Sequence, residues 1–346
     1  MRRTIKPTDP CLFDYQNHVE RLAGRETALD RLNDFIDWDF FRPLLRKAFK
    51  RRTQDRGGRS AFDEVFMFKI LILQRIHDLS DEATELAVME RLTWHRFLGV
   101  HVGCRFPDKN TLWDFKQSLI NTDTLTACFE AFFDYIASQG VQLKSGKIVD
   151  ATIIEVPVQR NSRKENDMIR NGDVPPDWEK PENTAKLRQK DTDADWTRKH
   201  DRRYFGYKNH TKVDQKTKLI ESCVVTPANV HDNQVLCDLL DPEDGRLYAD
   251  SAYRSDDIQA RLQKMGIQYW VNQRAYRNKP LTEAQKRTNK TKSKIRSRVE
   301  HVYGSMWTSL GGMYQRCIGF KRNANMIMFG NLIYNMHRLR YIQQGT

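Results

Sequence analysis

Ten residues, Lys147-Ile-Val-Asp-Ala-Thr-Ile-Ile-Glu-Val156, constrain this chain more than any other stretch. Their β-branched run reads as a strand buried inside a sheet. Asp150 interrupts it, and a carboxylate on an otherwise apolar strand is costly to bury unless it is paired or binds a metal. Glu155 alternates to the opposite face and stays out of any site that Asp150 builds. The fold must therefore place a sheet around one acid that has a purpose.

Upstream of this strand the spacing is helical. Ser60 is placed to cap a helix through Asp63 to Ile76, with Val65, Phe66, Ile70, Leu73 and Ile76 at helical intervals and Gly57-Gly58 as the break before it. Ser80 caps a second helix, with Asp81 and Glu82 suited to its dipole and Ala83, Leu86, Ala87 and Leu92 as its apolar face. A third starts near Pro107-Asp-Lys-Asn-Thr111 and runs to Leu119, and a fourth covers Leu125 to Ile136. Three short helices fit a helix-turn-helix, with Lys109, Asn110 and Lys116 as its groove contacts, or simply a packed helical subdomain. Residues 1–140 read as a helical N-terminal domain and 141–346 as a second domain.

Downstream, a polar segment, 159–203, carries Pro175-Pro176 and reads as a long solvated loop. A hairpin follows: Phe205 to Val213, the turn Asp214-Gln-Lys-Thr217, and Leu219 to Val225. Asp232 is placed to cap a helix through Val235 to Leu240. Next come a strand at Arg246 to Ala249, a helix at Asp256 to Lys264, a strand at Ile267 to Val271, a basic helix around Lys294 to Gly304 and a last helix at Met326 to His337. Such an order predicts an α/β fold, a mixed sheet flanked by helices, preceded by the all-helical domain.

Two further acids stand out. Asp250 follows the short strand that ends at Ala249, and Glu300 lies in the basic helix. From Val271 to Thr346 there are 15 Lys and Arg against 2 acidic residues, so the entire net charge of +13 is concentrated around Glu300. That asymmetry favours a polyanion, nucleic acid first. Oxygen ligands from separate elements suit Mg²⁺, and beside dense positive charge they point to phosphodiester chemistry. Six cysteines show no CxxC spacing, so neither a disulfide framework nor a zinc site is expected. No apolar run has the length of a membrane span, and Met1 to Pro7 lacks a signal peptide's apolar stretch, so a cytoplasmic protein is expected.

Several local sequences carry a resemblance: Ile148-Val-Asp-Ala-Thr152, Phe205-Gly-Tyr-Lys-Asn-His210, Thr226-Pro-Ala-Asn-Val-His-Asp232, Tyr248-Ala-Asp-Ser-Ala-Tyr253 and Ile295-Arg-Ser-Arg-Val-Glu-His-Val-Tyr303. In this order they resemble bacterial insertion-sequence transposases of the DDE type, the branch numbered five, with a ribonuclease-H-like catalytic domain. The resemblance covers nearly the whole chain, including the N-terminal helices. It implies that Asp150, Asp250 and Glu300 form the DDE triad, holding two divalent ions, Mg²⁺ or Mn²⁺. It also implies cleavage at the element's terminal repeats, joining to target DNA, and at least a homodimer on double-stranded DNA at the bacterial nucleoid. Arg296, four residues before Glu300, would hold a DNA phosphate, with Lys290, Lys292, Lys294 and Arg298 as further phosphate contacts. The wider signature has a Tyr three residues before that Arg and a Lys seven after the Glu, where this chain has Ser293 and Trp307.

Other readings stand beside these. Lys208 and His210 share one strand face and point either to DNA or to solvent. His231-Asp232 forms a catalytic dyad or a helix cap with a solvated His. Trp178 and Trp196 clamp DNA, pair with a second subunit or ride on an insertion. For the whole chain, the alternatives to a transposase are a nuclease without strand transfer and an inactive DNA-binding relative acting as a repressor.

Overall fold

The computed structural model describes residues 12–48, 60–143, 146–199, 201–276 and 280–344. The expected break at Gly57-Gly58 lies outside them. The N-terminal part comprises helices α1 (Asp14–Ala23), α2 (Ala28–Phe35), α3 (Arg42–Ala48), α4 (Glu64–Ile76), α5 (Asp81–Glu90), α6 (Leu92–Leu98), α7 (Lys109–Asn121) and α8 (Thr124–Ser138). There follow strand β1 (Lys147–Glu155), helices α9 (Arg163–Arg170) and α10 (Thr184–Arg188), and strands β2 (Asp195–Lys199), β3 (Arg202–Asp214) and β4 (Ile220–Pro227). The chain ends with α11 (Leu236–Leu239), β5 (Arg246–Tyr248), α12 (Asp256–Lys264), β6 (Gln268–Tyr269), α13 (Glu283–Arg296), α14 (Arg298–Ser309) and α15 (Phe320–Gln344).

Local chemistry sets the helix starts. Ser80 caps α5 as expected, accepting from the Ala83 N–H. α4 is capped by Asp63, not Ser60, because the Asp63 carboxylate reaches both the Val65 and Phe66 N–H groups. The face of α5 also differs from the expectation. Thr84, Ala87 and Val88 are buried while Leu86 is 53 % exposed, since the Thr84 hydroxyl is satisfied by Ser80 O and Gln74. The separate helix α6 intervenes between α5 and α7, so these helices do not run on through one tight turn. Lys109 and Lys116 pair with Glu82 and Asp81 of α5, which packs α5 and α7 together.

The sheet is mixed. Strands β4, β3 and β1 are antiparallel neighbours, β5 and β6 continue parallel to β1, and β2 pairs with the start of β3. This α/β architecture, six strands flanked by helices after a helical region, is the predicted class. The 159–203 segment departs from the loop expectation. It contains α9, α10 and β2 and buries Trp178 completely, whose Nε1 donates to Glu165 at 2.7 Å. Lys190 lies 4.8 Å from the same ring. Trp178 is therefore the core of the insertion, while Trp196 is 37 % exposed and packs on Phe205.

The two faces of the sheet are covered differently. Ile148, Ile154, Tyr207 and Val213 join a large core that also holds Leu32, Phe41, Phe68 and Phe132 of the N-terminal helices and Phe329 and Leu339 of α15. Val149, Leu247 and Ala249 face a smaller cluster with Leu236, Leu262 and Ile267. α15 joins the helices to the sheet through amides as well as apolar contacts. Asn331 exchanges hydrogen bonds with Asn209, and Asn335 satisfies both the N–H and the C=O of Ile220.

Burial and Arg340 hold the His337 imidazole on α15 down at about 4, and burial holds His210 down at about 4 as well. Both are neutral in the fold, so the unfolded chain binds more protons between pH 4 and 6.5. Their contribution is full above the ordinary imidazole value and is lost as pH falls through that window. For His337 the loss is roughly 3 kcal/mol. Thermal melts at pH 7.5 and 4.5 are expected to diverge, and His337→Gln to narrow the gap. Among the described residues, no helix is long and apolar enough to cross a membrane.

Candidate active site

Strand register brings the two aspartates together. β1 and β5 are parallel neighbours with Ile148 opposite Tyr248, and Asp150 and Asp250 each lie two residues further on. Period-two alternation puts both on the face of Ile148 and Tyr248, with adjacent strands about 4.8 Å apart. Asp250 ends its strand by capping a short turn, accepting from the Ala252 N–H at 2.5 Å.

Helix α14 covers the same face and carries Glu300. The expected single basic helix is two: α13 ends at Arg296 and α14 starts at Arg298, with Ser297 between them. The break keeps Arg296 beside Glu300. Its guanidinium bridges both acids, donating to Asp150 Oδ2 at 3.2 Å and to Glu300 Oε1 at 3.2 Å. Tyr303 was not singled out in the sequence. Its hydroxyl donates to the Asp150 carbonyl at 2.8 Å and lies 2.7 Å from the Thr211 hydroxyl. This fixes the backbone that carries Asp150. The signal for it was one turn of helix, since Tyr303 follows Glu300 by three residues.

Burial pushes the Asp150 carboxyl up to about 6; Arg296 and the Ala151 N–H oppose this, and Asp250 adds to it. The site thus holds more negative charge than Arg296 neutralises comfortably. Among the described residues, no three His, Cys, Asp or Glu side chains are grouped so as to hold a metal ion. Glu300, 61 % exposed, is turned toward Arg296. The paired aspartates, all oxygen and short of positive charge, fit a hard divalent cation, and Glu300 reaches it only when Arg296 lets go.

The basic residues divide. Lys290 and Lys294 are exposed on α13. Lys292 turns inward to the Val271 carbonyl at 2.9 Å, and Arg298 donates to the Gln215 carbonyl at 3.0 Å. Lys208 is not brought to the site. It lies opposite Ile153 in the register, on the face away from Asp150, and is held by Asp232 and the Val230 carbonyl at 2.8 Å each. Asp232 is therefore the counterion of Lys208 rather than a helix cap, and His231 bonds to Asn233, so the two form no dyad. His210 shares the face of Lys208 and is fully buried against Thr226.

With this geometry in view, comparison with known protein families is informative. Residues 142–336 match the family described as Transposase DDE domain, and residues 17–118 match the family described as Transposase domain (DUF772). The first match spans more than half of the chain, which belongs to the DDE transposase family. No solved structure matches the chain.

Proposed function

We propose that this transposase cuts the ends of its own insertion element and joins them to target DNA by metal-dependent phosphoryl transfer. The observation that carries the reading is the meeting of Asp150, Asp250 and the Arg296–Glu300 pair on one face of the sheet, beside a basic helix. The strand order supports a ribonuclease-H-like domain from 141 to 346, and the ordered motifs support the insertion-sequence branch numbered five.

Asp150, Asp250 and Glu300 would hold two divalent ions, Mg²⁺ by preference and Mn²⁺ on the same oxygens. When bound, such ions activate the attacking oxygen and stabilise the leaving one. The remaining work falls to the chain. Tyr303 holds the Asp150 backbone in place, and Lys290 and Lys294 anchor phosphates without reading sequence. Lys292 and Arg298 fix the basic helices and add to their field. Arg296 is the residue that changes partner: a DNA phosphate competes for its guanidinium, and Glu300 is released to the site. Arg296→Gln is therefore expected to raise the Mn²⁺ affinity of the DNA-free protein roughly three- to tenfold, the size of one or two partly exposed ion pairs. Electron paramagnetic resonance of free Mn²⁺ measures it. An unchanged affinity would mean that the arginine does not guard the carboxylates.

Joining requires two element ends in one complex, so the active species is at least a dimer on double-stranded DNA, with the helices of residues 1–140 binding the ends. Incubation of a labelled duplex carrying the terminal repeat, Mg²⁺ and a plasmid target tests the whole reading. A 3′-hydroxyl cut at the end followed by joining to the plasmid is the expected result. A cut without joining would select a nuclease, and binding without any cut would select an inactive repressor.

A further inference from the structure

Between the N-terminal helices and the chain leaving α14 lies a cleft of about 330 Å³ that has no part in the site above. Trp113 of α7 and Tyr314 line it, 47 % and 40 % exposed, although neither belongs to an apolar patch that needs covering. Arg316 and Arg322 lie on its rim, and Arg75 and Gln315 line its interior. Gln315 is only 5 % exposed, yet its side-chain Nε2 has no hydrogen-bond partner, and neither has the buried Nε of Arg75. The nearby acids are already engaged, Asp78 with Arg316 at 3.2 Å and Asp81 with Lys116 at 2.5 Å. Two buried donors without acceptors in one cleft are an exception that calls for a ligand.

The position of the cleft ties it to the carboxylates. Its segment from Met313 to Gln315 is bonded to the end of β1, Glu155 N–H to Met313 O at 3.0 Å and Gln315 N–H to Glu155 O at 2.9 Å. Glu155 lies five residues along the strand from Asp150, about 16 Å. Ser309, which precedes the segment, lies nine residues along α14 from Glu300, about 14 Å. One DNA strand running from the carboxylates reaches the cleft within a few nucleotides.

We infer that this cleft receives a single unstacked nucleobase of the DNA strand being processed, an inference that rests on the proposed DNA-cutting site. Exposed aromatic faces stack bases with little regard to sequence, and the rim guanidiniums suit the adjoining phosphates. Gln315 Nε2 and Arg75 Nε supply donors for a base carbonyl or ring nitrogen. An apolar ligand would leave both donors unmet, and a simple anion would give the aromatic rings no role.

The test uses the full-length protein without divalent metal. Two labelled single strands of equal length are titrated, one an oligothymidylate and the other an abasic backbone. The parent is expected to prefer the oligothymidylate. Trp113→Ala should weaken that binding about tenfold and leave abasic binding unchanged. Trp113→Phe should recover most of the loss, and Gln315→Leu should lower only the base-dependent part. Equal binding of both strands by the parent, or an unaltered preference in Trp113→Ala, would overturn the inference. If the terminal duplex is still cut in that case, the active-site reading stands and the cleft alone is rejected. If it is not cut, the active-site reading fails on its own evidence.

Discussion

Asp150→Asn is expected to lower cleavage of a terminal-repeat duplex by at least about a thousandfold, with DNA binding retained. The substitution keeps the shape of the side chain and removes the charge. The Ala151 N–H and the Tyr303 hydroxyl on the Asp150 carbonyl hold the backbone in either case. What disappears is one of two adjacent carboxylates that fix a divalent ion. That ion contributes several kcal/mol to the transition state, and each 1.36 kcal/mol is tenfold in rate. Single-turnover cleavage measures the loss. Glu155→Gln is the matched control: it removes an acid from the same strand, one that faces the other way and pairs with Arg202, and should change the rate less than about twofold. Equal losses in both variants would mean that charge on β1, rather than a site at Asp150, matters.

The second large effect lies in the backbone beside the site. Gly206 stands opposite both Glu155 of β1 and Asp195 of β2, at φ +151°. A Cβ there would sit 2.1 Å from the Ile154 carbonyl oxygen, a backbone atom that cannot swing aside. Gly206→Ala therefore adds a steric overlap to an unfavourable φ, costing roughly 2–5 kcal/mol, a large part of the usual stability of a domain. It also prises β1 from β3 at the end of the strand that carries Asp150. Gly172 has φ +86° with open space around it, so Gly172→Ala should cost only about 1 kcal/mol. Thermal melts of the two variants separate them. Equal shifts would show that conformation alone, and not close strand packing, requires the glycine in Phe205-Gly-Tyr-Lys-Asn-His210.

Much of this arrangement was legible because it rests on short-range rules. A β-branched run with one acid gave β1, and α12 falls on Asp256–Lys264 as its apolar and capping pattern predicts. The Arg296–Glu300 contact followed from helical spacing, and it survives the interruption at Ser297. What sequence hid was long-range. Nothing local shows that Tyr303 reaches Asp150, or that Lys208 is spent on Asp232 across the hairpin. The 159–203 segment looked like loop because its helices are short and highly polar, and only burial of Trp178 against Glu165 and Lys190 organises them. α4 and α15 were read as ordinary amphipathic helices, yet both are buried nearly all round, since α15 lies between the N-terminal helices and the sheet.

The central claim is that Asp150, Asp250 and Glu300, from a strand, a strand end and a helix, serve one metal centre. Iron-mediated backbone cleavage tests it most directly: Fe²⁺ is bound to the full-length protein on terminal DNA, and ascorbate with peroxide then cuts the polypeptide next to the metal. The account predicts breaks clustered near residues 150, 250 and 300, suppressed by excess Mg²⁺ and lost together in Asp250→Asn. Breaks elsewhere, or a pattern that Asp250→Asn leaves unchanged, would contradict it.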